Sequence, residues 1–212
     1  MVEIIHREKD LVVVNKPYGW LSERHASEKN VPEWLADELG VAPEQIYTVH
    51  RLDRTTAGLM VYALTKRGAA ELSRSITDGT LKKTYTAFIT ADESLPRSGE
   101  MVDYLYFDRR RDKSFVVKGD RKGAKEARLT YELMDRFTYK EKEITAARVC
   151  LETGRTHQIR VQFASRKSPL VGDGKYGSRV NYKGASLVST ELCFPWGDEV
   201  LHFAIDAKFN IQ

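Results

Sequence analysis

Apolar residues in this chain fall in short runs separated by charged or Gly- and Pro-containing stretches. Ile4-Ile5 and Leu11 to Val14 flank the polar Arg7-Glu8-Lys9-Asp10 and predict a β-hairpin, closed by Asn15-Lys16-Pro17-Tyr18-Gly19. Asn30 with Glu33 three residues on is a helix-capping signal. Pro32 suits a first turn, Trp34, Leu35 and Leu39 follow, and Gly40 stops the helix. A second helix is predicted from about Thr65 to Ile76, with Ala69, Leu72 and Ile76 on one face and Gly79 at its end. Strand-like stretches recur at 80–90, 128–134, 143–151, 186–194 and 199–211, and Ile159 and Phe163 return to helical spacing. Helices and strands mix without the regular alternation of a parallel sheet, which predicts an α+β fold. No internal repeat or convincing linker is visible. The polar, charged stretch 91–125 reads as a loop-rich insertion within one domain spanning 1–212.

The length of 212 residues is ample for one sizeable core. No run of about 18 apolar residues is present, which excludes a helical membrane span. The opening MVEIIHREKD lacks the basic start and apolar stretch of a signal peptide, so a cytoplasmic location is expected. Cys150 and Cys193 are too few for a disulfide scaffold or a cysteine zinc site, and the five histidines show no ligand spacing. Neither a metal nor a cofactor is expected, and the lack of a coiled-coil pattern points to a monomer. The net charge of +4 hides an uneven distribution. Residues 51–183 hold 28 basic and 17 acidic side chains, whereas residues 1–50 and 184–212 are both net acidic. A basic middle of that kind suits a polyanionic partner, and it equally suits a solvated basic face.

Three segments have the composition of a site. In His50-Arg51-Leu52-Asp53-Arg54-Thr55-Thr56-Ala57-Gly58, a carboxylate stands between two arginines just before an apolar strand. Positive neighbours favour an ionised Asp53, as a nucleophile or base requires, although an ordinary salt bridge within a loop has the same pattern. In Glu152-Thr153-Gly154-Arg155-Thr156-His157-Gln158-Ile159-Arg160, Gly154 ends a strand and Thr156 is placed to cap a short helix. Arg155 and Arg160 then stand near that helix start, within a 154–183 stretch of seven basic residues and one acid, Asp173. In Lys82-Lys83-Thr84-Tyr85-Thr86-Ala87, a basic pair leads into an aromatic strand able to hold phosphate and base together; Tyr85 as plain core fits as well. Gly172-Asp173-Gly174-Lys175-Tyr176-Gly177 matches a dinucleotide fingerprint, but no helix pattern follows it, so a tight loop is expected instead.

Together these segments resemble the RluA-type family of RNA pseudouridine synthases. HRLDRTTAGLMVYALT is similar to its active-site segment, LKKTYTAFI to its K-x-Y-x-A strand, and ETGRTHQIRVQFA to its G-R-T-H-Q-I-R helix start. VVVNKPYG is similar to the opening V-N-K-P-x-G, and PLVGDGKYG to the late G-D-x-x-Y-G loop, where Ser168-Pro169 replaces the usual H-P. The late L-x-L-H-A strand is only faint in Ser186 to Thr190, and the small RNA-binding domain that precedes many relatives is not expected here. The resemblance implies a bent, largely antiparallel or mixed sheet flanked by helices around a central cleft. It implies isomerisation of uridine to pseudouridine in structured RNA, ribosomal ahead of transfer RNA, without cofactor or metal. Asp53 would act on the ribose, either by attack at C1′ or by proton abstraction at C2′. Arg51 would hold the flipped arrangement, Tyr85 would pack against uracil, and Arg160 would pair with Asp53. Lys82, Lys83 and Arg155 would bind phosphates, with the basic 107–128 region as an added contact. An inactive RNA-binding or assembly protein on the same fold is the alternative.

Overall fold

The computed structural model describes residues 1–209, and the chain forms two compact units. The first unit comprises Met1–Lys83 and Val188–Asp206; the second comprises Thr84–Leu187 and the tail from Ala207.

The first unit opens with the expected hairpin, β1 (Glu3–Arg7) and β2 (Leu11–Lys16), paired antiparallel with an irregularity between Ile4 and His6. Helix α1 (Val31–Leu39) starts at Asn30, whose side chain accepts the Glu33 N–H at 2.9 Å and donates to the Glu33 carboxylate at 2.8 Å, a reciprocal cap. Gly40 ends it at φ 65°. The short β3 (Tyr47–Thr48) and the eight-residue β4 (Thr56–Ala63) pair antiparallel, and β2 lies on β4 with Val13 opposite Val61. Leu11 to Val14 and Leu59 to Ala63 are sealed on both faces, which is why they read as unbroken apolar runs rather than alternations. Helix α2 (Lys66–Thr77) is capped by Thr65 and sets Leu72 into a core of Leu11, Val13, Leu59, Val61 and Phe194.

The second unit is built on β5 (Lys82–Ile89), β6 (Ser98–Asp108), β7 (Lys113–Val117), β8 (Lys125–Tyr139) and β9 (Lys142–Leu151). Its strand order is β5-β9-β8-β6-β7, and the β6–β7, β6–β8 and β8–β9 pairs are antiparallel. The stretch expected as loop therefore contains a regular hairpin. Its inward positions Met101, Leu105 and Ser114 alternate with outward Val102, Tyr104 and Phe115, and apolar side chains on both faces hide the period. Helix α3 (Gln158–Ser165) packs Val161 against Leu105, Ala127 and Tyr176. Its N-cap is His157, in the left-handed region at φ 55° with no side-chain cap, and not Thr156 as the sequence suggested. The Thr156 carbonyl instead accepts the Ser114 hydroxyl at 2.5 Å.

The chain then returns to the first unit as β10 (Leu187–Trp196) and β11 (Glu199–Ala204), an antiparallel pair with Cys193 opposite His202. The last strand is shorter than expected, and residues 210 and 211 of the expected span lie outside the described residues. Strand β10 also lies beside β4, and Gly58 marks their close approach. Its φ is +110°, and a Cβ there would lie 2.2 Å from the Ser189 carbonyl oxygen.

Gly58→Ala is therefore expected to cost roughly 3 kcal/mol or more, since left-handed strain and overpacking each contribute about 1–3 kcal/mol. Gly79, at φ +68° with nothing near its added Cβ, bears strain alone. Gly79→Ala should lose about 1 kcal/mol. Urea unfolding midpoints measure both, and equal losses would contradict the close approach.

Candidate active site

Asp53 lies in the loop between β3 and β4, and that loop is tied down through its backbone. Leu52 is buried, its N–H donates to Ser22 Oγ at 3.0 Å, and Ser22 Oγ donates back to the Leu52 carbonyl at 2.8 Å. The Ser22 carbonyl accepts the Tyr62 hydroxyl at 2.9 Å from β4. Gly19 N–H donates to the Arg54 carbonyl at 2.8 Å, and Arg54 Nε donates to the Gly19 carbonyl at 3.2 Å. Thr56 N–H donates to the Asp53 carbonyl at 2.9 Å, turning the chain into β4. On the other side of Asp53, His50 Nε2 accepts the Val61 N–H at 3.1 Å. The Pro/Gly turn after β2 and the aspartate loop are thus stitched into one piece.

The electrostatics differ from the sequence expectation. Arg51 pairs with Glu23 at 2.9 Å, and Arg54 pairs with Glu28. Each flanking arginine has a glutamate of its own, both pairs are well exposed, and such pairs contribute little. Lys16 shares an electrostatic interaction with Asp53. It is fully buried, and its Nζ donates to the carbonyls of Trp20 at 2.9 Å and Pro17 at 3.2 Å. Burial lowers the Lys16 ammonium to about 8, and the charge of Asp53 acts in the opposite direction. Burial likewise lowers His50 to about 3, helped by the positive charge of Lys83, so the imidazole is neutral at working pH. With Nε2 as acceptor, Nδ1 bears the proton; it is sealed from solvent and has no hydrogen-bond partner among the described residues. Lys83 itself is half-buried and lowered by desolvation, whereas Lys82 is exposed at the start of β5.

In the second unit, Arg160 is buried and forms a bidentate pair with Asp173, Nε to Oδ2 at 2.7 Å and an Nη to Oδ1 at 2.8 Å. Its guanidinium lies 5.1 Å from the Tyr176 ring centroid. The Tyr176 hydroxyl accepts the Ser114 N–H at 2.8 Å and lies 3.0 Å from His157 Nδ1. Gln158 Oε1 accepts the Arg155 N–H at 2.9 Å and the Thr153 hydroxyl at 2.8 Å, which fixes the turn into α3. Arg155 is exposed, with Nε donating to the Glu126 carbonyl at 2.8 Å. Tyr85 is buried within β5. The 172–177 loop is a tight turn with Gly172 and Gly177 at positive φ and no helix after it. Asp173 and Tyr176 hold Arg160 in place, a role that the G-D-x-x-Y-G pattern does not reveal although it contains both. Of the expected site residues, Arg51, Asp53, Lys82 and Lys83 belong to the first unit, and Tyr85, Arg155 and Arg160 to the second.

Among the described residues, no group of three or more His, Cys, Asp or Glu could hold a metal ion, and no helix is long and apolar enough to cross a membrane. Residues 10–165 match the RNA pseudouridylate synthase family profile. The tRNA pseudouridine synthase C of Yersinia pestis is 31% identical over 200 residues, covering 88% of this chain and 74% of that protein. The ribosomal large subunit pseudouridine synthase D of Vibrio cholerae serotype O1 is 32% identical over 214 residues, covering 99% of this chain and 63% of that protein. The dual-specificity RNA pseudouridine synthase RluA of Yersinia pestis is 29% identical over 215 residues, 97% of this chain and 99% of that protein. Among solved structures, human RNA pseudouridylate synthase domain containing 1 superposes with a TM-score of 0.83 at 20% identity, covering 97% of this chain and 83% of that one. Human RNA pseudouridylate synthase domain containing 4 does so with a TM-score of 0.77 at 23% identity, covering 97% and 88%.

His50 gives the aspartate loop an acid-sensitive anchor. Below its ordinary value of 6.5 the unfolded chain takes up a proton that the folded chain refuses until about pH 3. Stability from this group is therefore lost as pH falls through that window. His50→Gln retains an acceptor for the Val61 N–H but does not titrate. Urea unfolding between pH 7 and pH 4 should show wild type losing up to about 1.4 kcal/mol per pH unit more than His50→Gln. Parallel losses in the two proteins would contradict a buried, neutral His50.

Proposed function

Since the chain belongs to the RNA pseudouridylate synthase family, of the RluA type, we propose that it isomerises uridine in structured ribosomal RNA with Asp53 as the acting carboxylate. The observation behind this reading is the aspartate loop itself. It holds Asp53 half-buried through neutral backbone and hydroxyl hydrogen bonds, with the buried Lys16 ammonium in electrostatic contact. Those bonds fix the loop that presents the carboxylate to a substrate. The ribosomal large-subunit enzyme aligns with 99% of the chain, which favours ribosomal RNA, while the transfer-RNA enzyme aligns with 88% of it. The protein works as a monomer in the cytoplasm, with RNA as its macromolecular partner.

The target uridine leaves its stack, at a cost of roughly a few kcal/mol, and its ribose meets Asp53. The N1–C1′ bond breaks, the uracil turns, and C5 bonds to C1′. The C5 proton leaves to solvent and N1 regains a proton, so the reaction balances without an oxidant or reductant. Arg51 holds the flipped arrangement, and Tyr85 packs against the base. Arg160 serves the uridine from a position fixed by Asp173 and Tyr176. Lys82, Lys83 and Arg155 meet phosphates, so affinity falls with salt.

Asp53→Asn is nearly isosteric and leaves the Leu52, His50 and Arg54 bonds in place. It is expected to keep the fold and RNA affinity while lowering pseudouridine formation at least about 100-fold, read by pseudouridine mapping of total RNA from cells lacking the gene and rescued with either form. Rescue by Asp53→Asn at wild-type level would overturn the assignment and leave the RNA-binding alternative. The same substitution removes the charge that raises Lys16. Titration of the Lys16 ε-methylene by NMR should place its pKa below about 8 in Asp53→Asn. An unmoved value would deny the electrostatic contact.

A further inference from the structure

One face of the hairpin in the second unit has side chains unlike those of a solvated sheet. On β6, Val102, Tyr104 and Tyr106 alternate with the buried Met101 and Leu105, and Val102 and Tyr104 are each 41% exposed. The register sets Phe115 opposite Tyr106 and Val117 opposite Tyr104 on β7, so the aromatic face continues across both strands. The turn after β7 folds back onto it. The Arg121 guanidinium lies 3.9 Å from the Tyr106 ring centroid, and a Cβ on Gly119 would lie 2.9 Å from the Tyr104 ring. An exposed aromatic cluster of this kind marks a contact surface rather than a packing leftover.

The charges around it select the partner. Residues 107–128 hold nine basic and four acidic side chains. Three of those acids are engaged within the molecule: Asp108 with the Arg110 and Arg111 N–H groups, Asp112 with Lys175, and Glu126 with Arg128. Arg109, Arg110, Lys118, Lys122 and Lys125 are exposed and have no anionic partner among the described residues. Lysine is depleted at protein–protein contacts, whereas rings set among unpaired cations suit bases on the rings and phosphates on the cations. We propose that this face, centred on Tyr104, binds a single-stranded segment of the RNA substrate, with a base stacked on Tyr104 and phosphates on Lys118 and Lys122. The proposal rests on the reading that the substrate is RNA.

The test is equilibrium binding of a fluorescein-labelled single-stranded oligouridine to the full chain, with pseudouridine formation followed in parallel. Tyr104→Ala should weaken binding about tenfold, while Tyr104→Phe, which keeps the ring, should remain within about twofold. Replacing Lys118 and Lys122 by Gln should flatten the slope of log K against log salt by about 0.7 per lysine. Asp53→Asn should bind as wild type does. Unchanged binding by Tyr104→Ala in a protein that still forms pseudouridine overturns this proposal and leaves the function intact. Loss of binding in Tyr104→Ala, with no pseudouridine formed by wild type, upholds the RNA surface and overturns the proposed function. Because Tyr104→Ala could loosen the hairpin, wild type is also photocrosslinked to the oligomer bearing 4-thiouridine. Adducts on peptides containing Tyr104 or residues 118–125 support the proposal, and adducts only elsewhere overturn it. Self-association of the chain that Tyr104→Ala abolishes, with no change in RNA binding, likewise overturns it.

Discussion

The hydroxyl of Ser22 is the smallest part of this protein on which the largest share of the site depends. It both accepts from and donates to the backbone of Leu52, while the Ser22 carbonyl takes the Tyr62 hydroxyl from β4. Three segments distant in sequence are thereby fixed around the residue that precedes Asp53. The His50–Val61 and Gly19–Arg54 bonds complete the tie from either side. Each of these bonds has a backbone group on at least one side, and none of them uses the Asp53 carboxylate. An enzyme that must present a reactive carboxylate gains from that separation of position and charge.

The arrangement costs stability elsewhere. Lys16 is fully buried with an ammonium lowered to about 8, and His50 is held neutral with an unpartnered Nδ1 proton. Gly58 sits at positive φ against the Ser189 backbone. Each is a local departure from what a strand or loop would otherwise choose, and all three lie within the segments around Asp53. In the second unit the corresponding expense is the buried Arg160–Asp173 pair, which Tyr176 covers with its ring while its hydroxyl reaches Ser114. A buried pair of this type contributes more to geometry than to stability.

Much of the fold was legible because its signals are local. Asn30 with Glu33, and Thr65 before an amphipathic run, mark helix starts through side chains that reach only three residues. The Asp53 segment could be found because its chemistry is contiguous. Its electrostatics could not, since Glu23 and Glu28 reach Arg51 and Arg54 from some 25–30 residues away in sequence. The same holds for Asp173 and Tyr176, whose value comes from meeting Arg160 and Ser114 across long stretches of chain. His157 took the cap position from Thr156 because the Thr156 carbonyl is spent on Ser114, a tertiary bond with no local trace. Residues 98–117 form strands without a visible period, because Val102, Tyr104 and Phe115 stand outward while the charged Asp103 shares the inward face of Met101 and Leu105.

Formation of the C5–C1′ bond removes the hydrogen from C5 of every uridine converted. Ribosomal RNA transcribed with uridine tritiated at C5 and incubated with the purified full chain should release tritium to water in step with the pseudouridine formed. RNA that binds the protein but retains all of its tritium would show that the fold is here a binding module and that Asp53 does no chemistry.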